Sequence, residues 1–266
     1  MIEYLSLPFV QRAVLAGLIF ALLAGMIGVF MTMRRAAFFG DAVAHSSLAG
    51  IAIGLLVGLN PLVTAFVYAL AIAWLLPEIR KKTSFSFDNL LGIILPVSLG
   101  LGVILFNLLP GFQPQLLSYL FGSMLLISWN DVIFFIVLLI VVKFVMKFIR
   151  DRLVLVSLDP DYARLIGIPI TRYELIYHFL LALTIISGVR LIGIVLMNAL
   201  LIIPASIARL YSKSLTTYFW LTPLIGLVCV LLGIIVSLSL NVPTGATIAV
   251  TAGVLFAISL VIKKVF

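Results

Sequence analysis

Residues 13–31 have the sequence AVLAGLIFALLAGMIGVFM, an unbroken run of apolar and small residues. A helix of about 20 such residues crosses the hydrocarbon core of a bilayer and satisfies its own backbone hydrogen bonds. Comparable runs recur as far as Ile262 in a chain of 266 residues, 64% of them hydrophobic and only 10% charged. This composition lies outside the range of soluble domains, and no alternating period indicates a barrel. We therefore predict an all-α, polytopic membrane protein.

The breaks between apolar runs predict about nine transmembrane helices within a single transmembrane domain, residues 1–266. The segment of about 111–131 is the exception, because its apolar part, residues 116–128, is too short to span a bilayer. We expect it to form an outer re-entrant or surface element. The predicted helices lie near residues 13–31, 36–58, 62–79, 90–108, 132–149, 173–189, 191–208, 218–239 and 245–262.

The basic residues predict the orientation of these helices. With the N-terminus outside and the C-terminus in the cytoplasm, only Arg12 and Arg190 of the 17 Lys and Arg residues fall on the outer side. Positive charge concentrates in cytoplasmic loops, so this orientation is favoured. The basic pI of about 9.8 therefore reflects membrane orientation, and nucleic acid is not an expected partner.

Two ionisable residues, Asp41 and His45, lie four apart in the second predicted helix. An acid at bilayer depth costs roughly 2.5 to 3.5 kcal/mol on insertion scales, which makes it a functional candidate. Residues four apart share one helix face, with Cβ atoms about 5 to 6 Å apart. A carboxylate oxygen and an imidazole nitrogen can therefore converge on one ion.

The remaining small residues of this helix divide between two faces. Ala49 and Ala52 continue the Asp41 side, which we expect to face a cavity. The row of Gly50, Gly54 and Gly58 lies on roughly the opposite side and suits close packing against a neighbouring helix.

One carboxylate and one imidazole make an incomplete metal site, since closed sites usually have at least four ligands. A second copy related by a two-fold axis would supply two more, a set suited to zinc, or to manganese or iron. Two alternatives stay open. Asp41 and His45 bond to each other or to Arg34 or Arg35, or they form a proton relay.

The longest inner polar segment, about 151–172, predicts a short capped helix. Asp159 suits the N-cap, Pro160 the first helical position, and Gly167 followed by Pro169 the stop. Such a helix is either a solvated connector or a docking element for a cytoplasmic partner. Three residues recur on one side of it: Leu158, Tyr162 and Ile166.

No enzyme motif is present. The sequence lacks His-Glu-x-x-His and contains no Gly-Lys pair for nucleotide binding. If ATP drives this protein, another chain binds it. His178 and Pro204 are predicted to serve packing, and Asn198 to bond across helices.

Five segments, in order along nearly the whole chain, resemble the membrane permease subunit of bacterial ATP-binding-cassette importers for zinc and manganese. They are residues 40–50, 119–123, 159–167, 199–205 and 243–247. The resemblance implies a fold similar to that of cobalamin and siderophore importer permeases. It implies a multi-pass permease in the lipid of the bacterial inner membrane, pairing as a homodimer. Its further partners would be two cytoplasmic ATPase subunits and an extracytoplasmic metal-binding protein.

The resemblance also assigns roles to residues. Asp41 and His45 would coordinate the transported zinc or manganese ion, which is cargo and not a permanent cofactor. Many family members have proline where this chain has Ala49, which leaves the choice of metal open. A siderophore or cobalamin permease and a proton-coupled metal carrier remain alternatives. The surface that faces the binding protein would include Tyr119, Gly122 and Ser123. The residues that couple to the ATPase would be Leu158, Asp159, Pro160, Tyr162, Ala163, Ile166 and Gly167.

Overall fold

The computed structural model describes residues 7–34, 36–83, 85–109 and 127–265. Within these ranges the chain forms ten α-helices and no strand. The prediction of an all-α protein is therefore confirmed. In chain order the helices are α1 (Pro8–Met33), α2 (Ala37–Val57), α3 (Pro61–Lys82), α4 (Phe87–Asn107), α5 (Trp129–Leu158), α6 (Pro160–Leu165), α7 (Ile170–Ile192), α8 (Ile194–Tyr211), α9 (Leu215–Leu240) and α10 (Thr244–Val265).

Nine of these helices, all but α6, correspond to the nine predicted from apolar runs. Among the described residues, eight are long and apolar enough to cross a membrane. The ninth, α8, is 18 residues long and contains Pro204. Most of the predicted outer segment, about 111–131, lies outside the described residues.

The largest difference from prediction is the end of α5, expected near residue 149 and found at Leu158. Residues 150–158 contain charges but neither proline nor glycine, so nothing in them stops a helix. The helix ends before Pro160 because a proline disfavours helical backbone in the residue that precedes it. Asp159 accordingly has φ −143° and ψ 86°.

Local sequence also sets the turn between α2 and α3. Gly58 ends α2 with φ +73°, a left-handed conformation that favours glycine. The Asn60 side chain then accepts hydrogen bonds from the backbone N–H groups of Leu62 and Val63. These bonds satisfy two of the free N–H groups at the start of α3.

The helices group into two compact units. The first unit comprises α1, α5 up to Lys147, α7 from Ser187, and α8 to α10. In it, α1 approaches α9 and α8 through glycines. A Cβ built on Gly25 would lie 2.6 Å from the Cα of Pro223, and one on Gly28 would overlap the carbonyl group of Leu201. Such small-residue contacts let helix backbones approach closely in a membrane.

The second unit comprises α2 to α4, α5 from Phe148, α6, and α7 up to Ile186. Here α2 packs against both α3 and α4. A Cβ on Gly102 of α4 would lie 3.1 Å from the backbone nitrogen of Ala49 on α2. This unit contains Asp41, His45 and the predicted coupling segment. That residues 1–266 form one permease domain stays a prediction.

Candidate functional site

Asp41 and His45 lie in the second and third turns of α2, and both are partly buried. The Nδ1 atom of His45 is buried and has no hydrogen-bond partner among the described residues. A buried imidazole nitrogen left without a partner is costly, so it marks a position where a ligand would be stabilising.

The backbone around the pair is closely packed. Ala42 and Ala44 are fully buried, and the hydroxyl groups of Ser46 and Ser47 donate back to the carbonyl oxygens of these two alanines. The hydroxyl hydrogens of both serines are therefore used within α2 itself.

Asp41 and His45 do not form a complete metal site within the described part of one chain. No group of three or more His, Cys, Asp or Glu side chains is close enough there to hold a metal ion. A complete site therefore needs donors of another kind, such as water or backbone carbonyl oxygens, or donors from another molecule.

The small residues of α2 are placed as follows. A Cβ on Gly50 would lie 2.7 Å from the Cα of Ala65, and one on Gly54 would overlap the Thr64 side chain, so both glycines contact α3. A Cβ on Gly58 would meet none of the described residues within 4 Å, and this glycine ends the helix instead. Ala49 and Ala52 are fully buried, Ala49 lying beside α4.

The predicted coupling segment forms a short capped helix, α6. The Asp159 carboxylate accepts a hydrogen bond of 2.9 Å from the Tyr162 N–H, and Pro160 takes the first helical position. Gly167 has φ +78°, and the following Ile168 N–H donates to the Ala163 carbonyl over 3.0 Å. The local sequence therefore produces both ends of α6.

The surface of this segment includes several exposed large apolar side chains. Ala163 is fully buried and anchors α6, whereas Leu165 is 85% exposed. Leu165 was not among the residues predicted from sequence, which placed Leu158, Tyr162 and Ile166 on one side of this helix. Leu158, Tyr162 and Ile166 are each at least half exposed.

A second polar cluster, missed by the sequence analysis, joins α2 and α7. The guanidinium of Arg34 donates to the Glu174 carboxylate and lies 5.8 Å from the centre of the Tyr177 ring. His178 is buried, as predicted for a packing histidine, and stacks on Phe39 with ring centroids 4.8 Å apart. One signal was available, since Glu174 is the single acidic residue of the α7 sequence.

A cavity of about 390 Å³ lies beside this cluster within the second unit. It is bounded by α6, the start of α7 and the end of α3. Its lining comprises Pro77, Arg80, Pro160, Arg164, Ile168, Ile170, Thr171, Glu174 and His178.

Tyr119, Gly122 and Ser123, which were predicted to face a binding protein, lie outside the described residues. Their role stays a prediction.

Residues 6–263 match the ABC 3 transport family. The chain belongs to this family. It is therefore the membrane-embedded permease subunit of an ATP-binding-cassette transporter and not an enzyme, and ATP is hydrolysed by a separate subunit. Membership of the ABC 3 transport family also implies an ATPase partner and a substrate-binding partner.

Two relatives and two solved structures resemble the chain over most of its length. The high-affinity zinc uptake system membrane protein ZnuB of Haemophilus influenzae is 32% identical over 248 residues, which are 93% of this chain and 95% of the relative. The manganese import system permease protein ScaB of Streptococcus gordonii is 30% identical over 251 residues, 94% of this chain and 90% of the relative.

Among solved structures, PsaBC from Streptococcus pneumoniae in complex with Fab has a TM-score of 0.85 at 28% identity and covers 97% of this chain and 93% of that one. An inward-facing transporter of the metal-chelate ABC type has a TM-score of 0.76 at 21% identity and covers 94% of this chain and 84% of that one, which shows a shared fold alone.

Proposed function

We propose that this permease imports a divalent transition metal ion, with zinc as the first candidate and manganese as the second. The named relatives support this, because one belongs to a zinc uptake system and another to a manganese import system. Two copies of the chain form the pathway in a bacterial inner membrane, with the N-terminus outside and the C-terminus in the cytoplasm.

The observation that carries the proposal is the buried Nδ1 of His45, which lies one helical turn from Asp41 and has no hydrogen-bond partner in the part of the chain that the structure describes. One nitrogen and one carboxylate from each of two copies make a mixed set of four donors. Such a set suits zinc, and it suits manganese if water or second carboxylate oxygens fill the remaining positions. A site shared between two copies also opens when they separate, as a transport site must in order to release its ion.

The exposed apolar side of α6 is the surface that two cytoplasmic ATPase subunits would contact. ATP binding and hydrolysis would then rock the two permeases and open the pathway alternately outward and inward. An extracytoplasmic metal-binding protein would deliver the ion to the outer side.

The proposal is tested by uptake of radioactive zinc into proteoliposomes that contain the permease, its ATPase and its binding protein. Asp41→Asn and His45→Ala should each abolish uptake without reducing co-purification of the ATPase. Asp131→Asn, which removes a carboxylate but keeps the acceptor that bonds Ser128 at the start of α5, is the matched control and should transport normally.

Uptake that persists in both variants would refute the assigned site. Uptake by permease alone, without ATPase, would establish a proton-coupled carrier instead.

A further inference from the structure

Arg34 and Glu174 form a buried ion pair between two segments that are 140 residues apart in sequence. Their side chains are only 12% and 19% exposed. Arg34 directly follows α1 and lies three residues before the first residue of α2, and Glu174 lies in the second turn of α7. In a poorly hydrated environment such a pair holds its geometry, because losing one partner leaves the other charge buried and uncompensated.

The ion pair is reinforced by contacts between aromatic rings. Phe39, near the start of α2, stacks on His178 of α7 with an angle of 28° between the rings. Phe39 is fully buried and His178 is 4% exposed. Two consecutive turns of α7 therefore contact this region, Glu174 pairing with Arg34 just before α2 and His178 stacking on Phe39 near the start of α2.

These contacts lie between α6, the proposed ATPase contact, and the proposed metal ligands on α2. The link between α6 and α7 is short and contains Gly167 in a left-handed conformation. Glu174 lies four residues after the start of α7 and is therefore close to α6 along the chain. On the other side, Asp41 and His45 follow Phe39 by two and six residues, roughly 3 and 9 Å along the helix axis. A shift of α7 would therefore move the start of α2, close to the proposed metal ligands.

The cavity beside the cluster leaves α6 room to move. Pro160 and Arg164 line it from α6, and Glu174 and His178 line it from α7. A shift of α6 toward α7 would close this cavity of about 390 Å³ and bring Pro160 and Arg164 against the part of α7 that carries Glu174 and His178.

We infer that Arg34, Glu174, Phe39 and His178 are positioning residues through which movement of α6 sets the position of Asp41 and His45. The inference rests on the proposed function, since it takes α6 as the ATPase contact and the α2 pair as the metal contact. It assigns these four residues a role in coupling ATP hydrolysis to transport and none in binding the ion.

The test compares zinc uptake with ATP hydrolysis in proteoliposomes that contain the permease, its ATPase and its binding protein. Glu174→Gln should lower the number of ions transported per ATP by about tenfold, a typical coupling magnitude, while ATP hydrolysis continues. The exchange of charges, Arg34→Glu with Glu174→Arg, should recover most of that loss. Phe39→Leu removes the stacked ring and should also lower the ratio.

Tyr173→Phe is the matched control. The Tyr173 hydroxyl accepts a hydrogen bond from Arg152 and so also links α7 to another helix, but at an exposed position. This variant should keep the wild-type ratio of uptake to hydrolysis.

An unchanged ratio in Glu174→Gln and Phe39→Leu would overturn the inference. So would a parallel fall of assembly, hydrolysis and uptake that the charge exchange does not reverse, because that pattern indicates a role in folding alone. Failure of the wild-type protein to transport metal would instead refute the proposed function.

Discussion

Gly50 of α2 lies so close to Ala65 of α3 that a Cβ at this position would come within 2.7 Å of the Ala65 Cα and 2.9 Å of the Thr64 carbonyl oxygen. Both neighbours are backbone atoms and cannot turn aside as a flexible side chain would. The helix that carries Asp41 and His45 can therefore approach α3 this closely only because residue 50 has no side chain.

Gly50→Ala should push α2 away from α3 and lower the thermal stability of the detergent-solubilised protein. Overpacking of this kind typically costs about 1 to 3 kcal/mol. Thermal unfolding followed by fluorescence measures the change. Gly100→Ala on α4 is the matched control, because a Cβ there meets no atom of the described residues within 4 Å. Its stability should be unchanged or slightly raised, since alanine favours a helix more than glycine does. Equal losses in the two variants would contradict close packing at Gly50.

Asp159→Ala should loosen α6, because it removes the acceptor for the Tyr162 N–H. Loss of an N-cap costs about 1 kcal/mol of helix stability, a large effect for a helix of one and a half turns. Metal-stimulated ATP hydrolysis by the reconstituted complex should fall. Asp159→Asn retains a capping oxygen and should keep most of that activity. A loss as large in Asp159→Asn would indicate that the charge matters more than the cap.

Leu165→Ser should weaken binding of the ATPase subunit, because Leu165 is the most exposed apolar residue of α6. Burying a leucine side chain is worth roughly 1.5 to 3 kcal/mol, so affinity should fall by about tenfold or more. Affinity can be measured by titrating purified ATPase onto immobilised permease. The melting temperature of the isolated permease should not change, since the side chain is 85% exposed. Unaltered affinity would exclude Leu165 from the contact.

His45→Glu should shift the metal preference of the permease from zinc toward manganese. The change replaces an imidazole, which suits zinc, by a carboxylate, which suits the harder manganese ion. Competition between the two metals during uptake measures the ratio, which should move by about tenfold, the scale on which changes around a metal site commonly act. An unchanged ratio would show that this side chain does not contact the ion.

Much of the fold follows from local sequence. The apolar runs predicted all nine long helices, because a segment in hydrocarbon must pair its own backbone groups and therefore forms a helix. The two ends of α6 were also predicted from sequence. Asp159, Pro160 and Gly167 each act on their nearest backbone neighbours, so their effect does not depend on the rest of the fold. The end of α5 differs from the prediction, which placed it near residue 149, because charges at the membrane surface do not stop a helix and α5 continues to Leu158.

The polar cluster of Arg34, Glu174 and His178 could not be predicted in the same way. Arg34 and Glu174 are 140 residues apart, and no spacing rule connects residues at that distance. The stacking of Phe39 on His178 likewise depends on α7 lying beside α2.

The amino-acid sequence by itself determined that the chain crosses the membrane repeatedly, that Asp41 and His45 share a helix face, and that a capped helix follows α5. Only the tertiary structure decided which helices are neighbours, so that Gly50 meets Ala65 and Glu174 meets Arg34. The physical reason is that lipid is as apolar as the helices themselves. Hydrophobicity selects the helices but not their partners, and the partners are chosen by close fit and buried polar contacts.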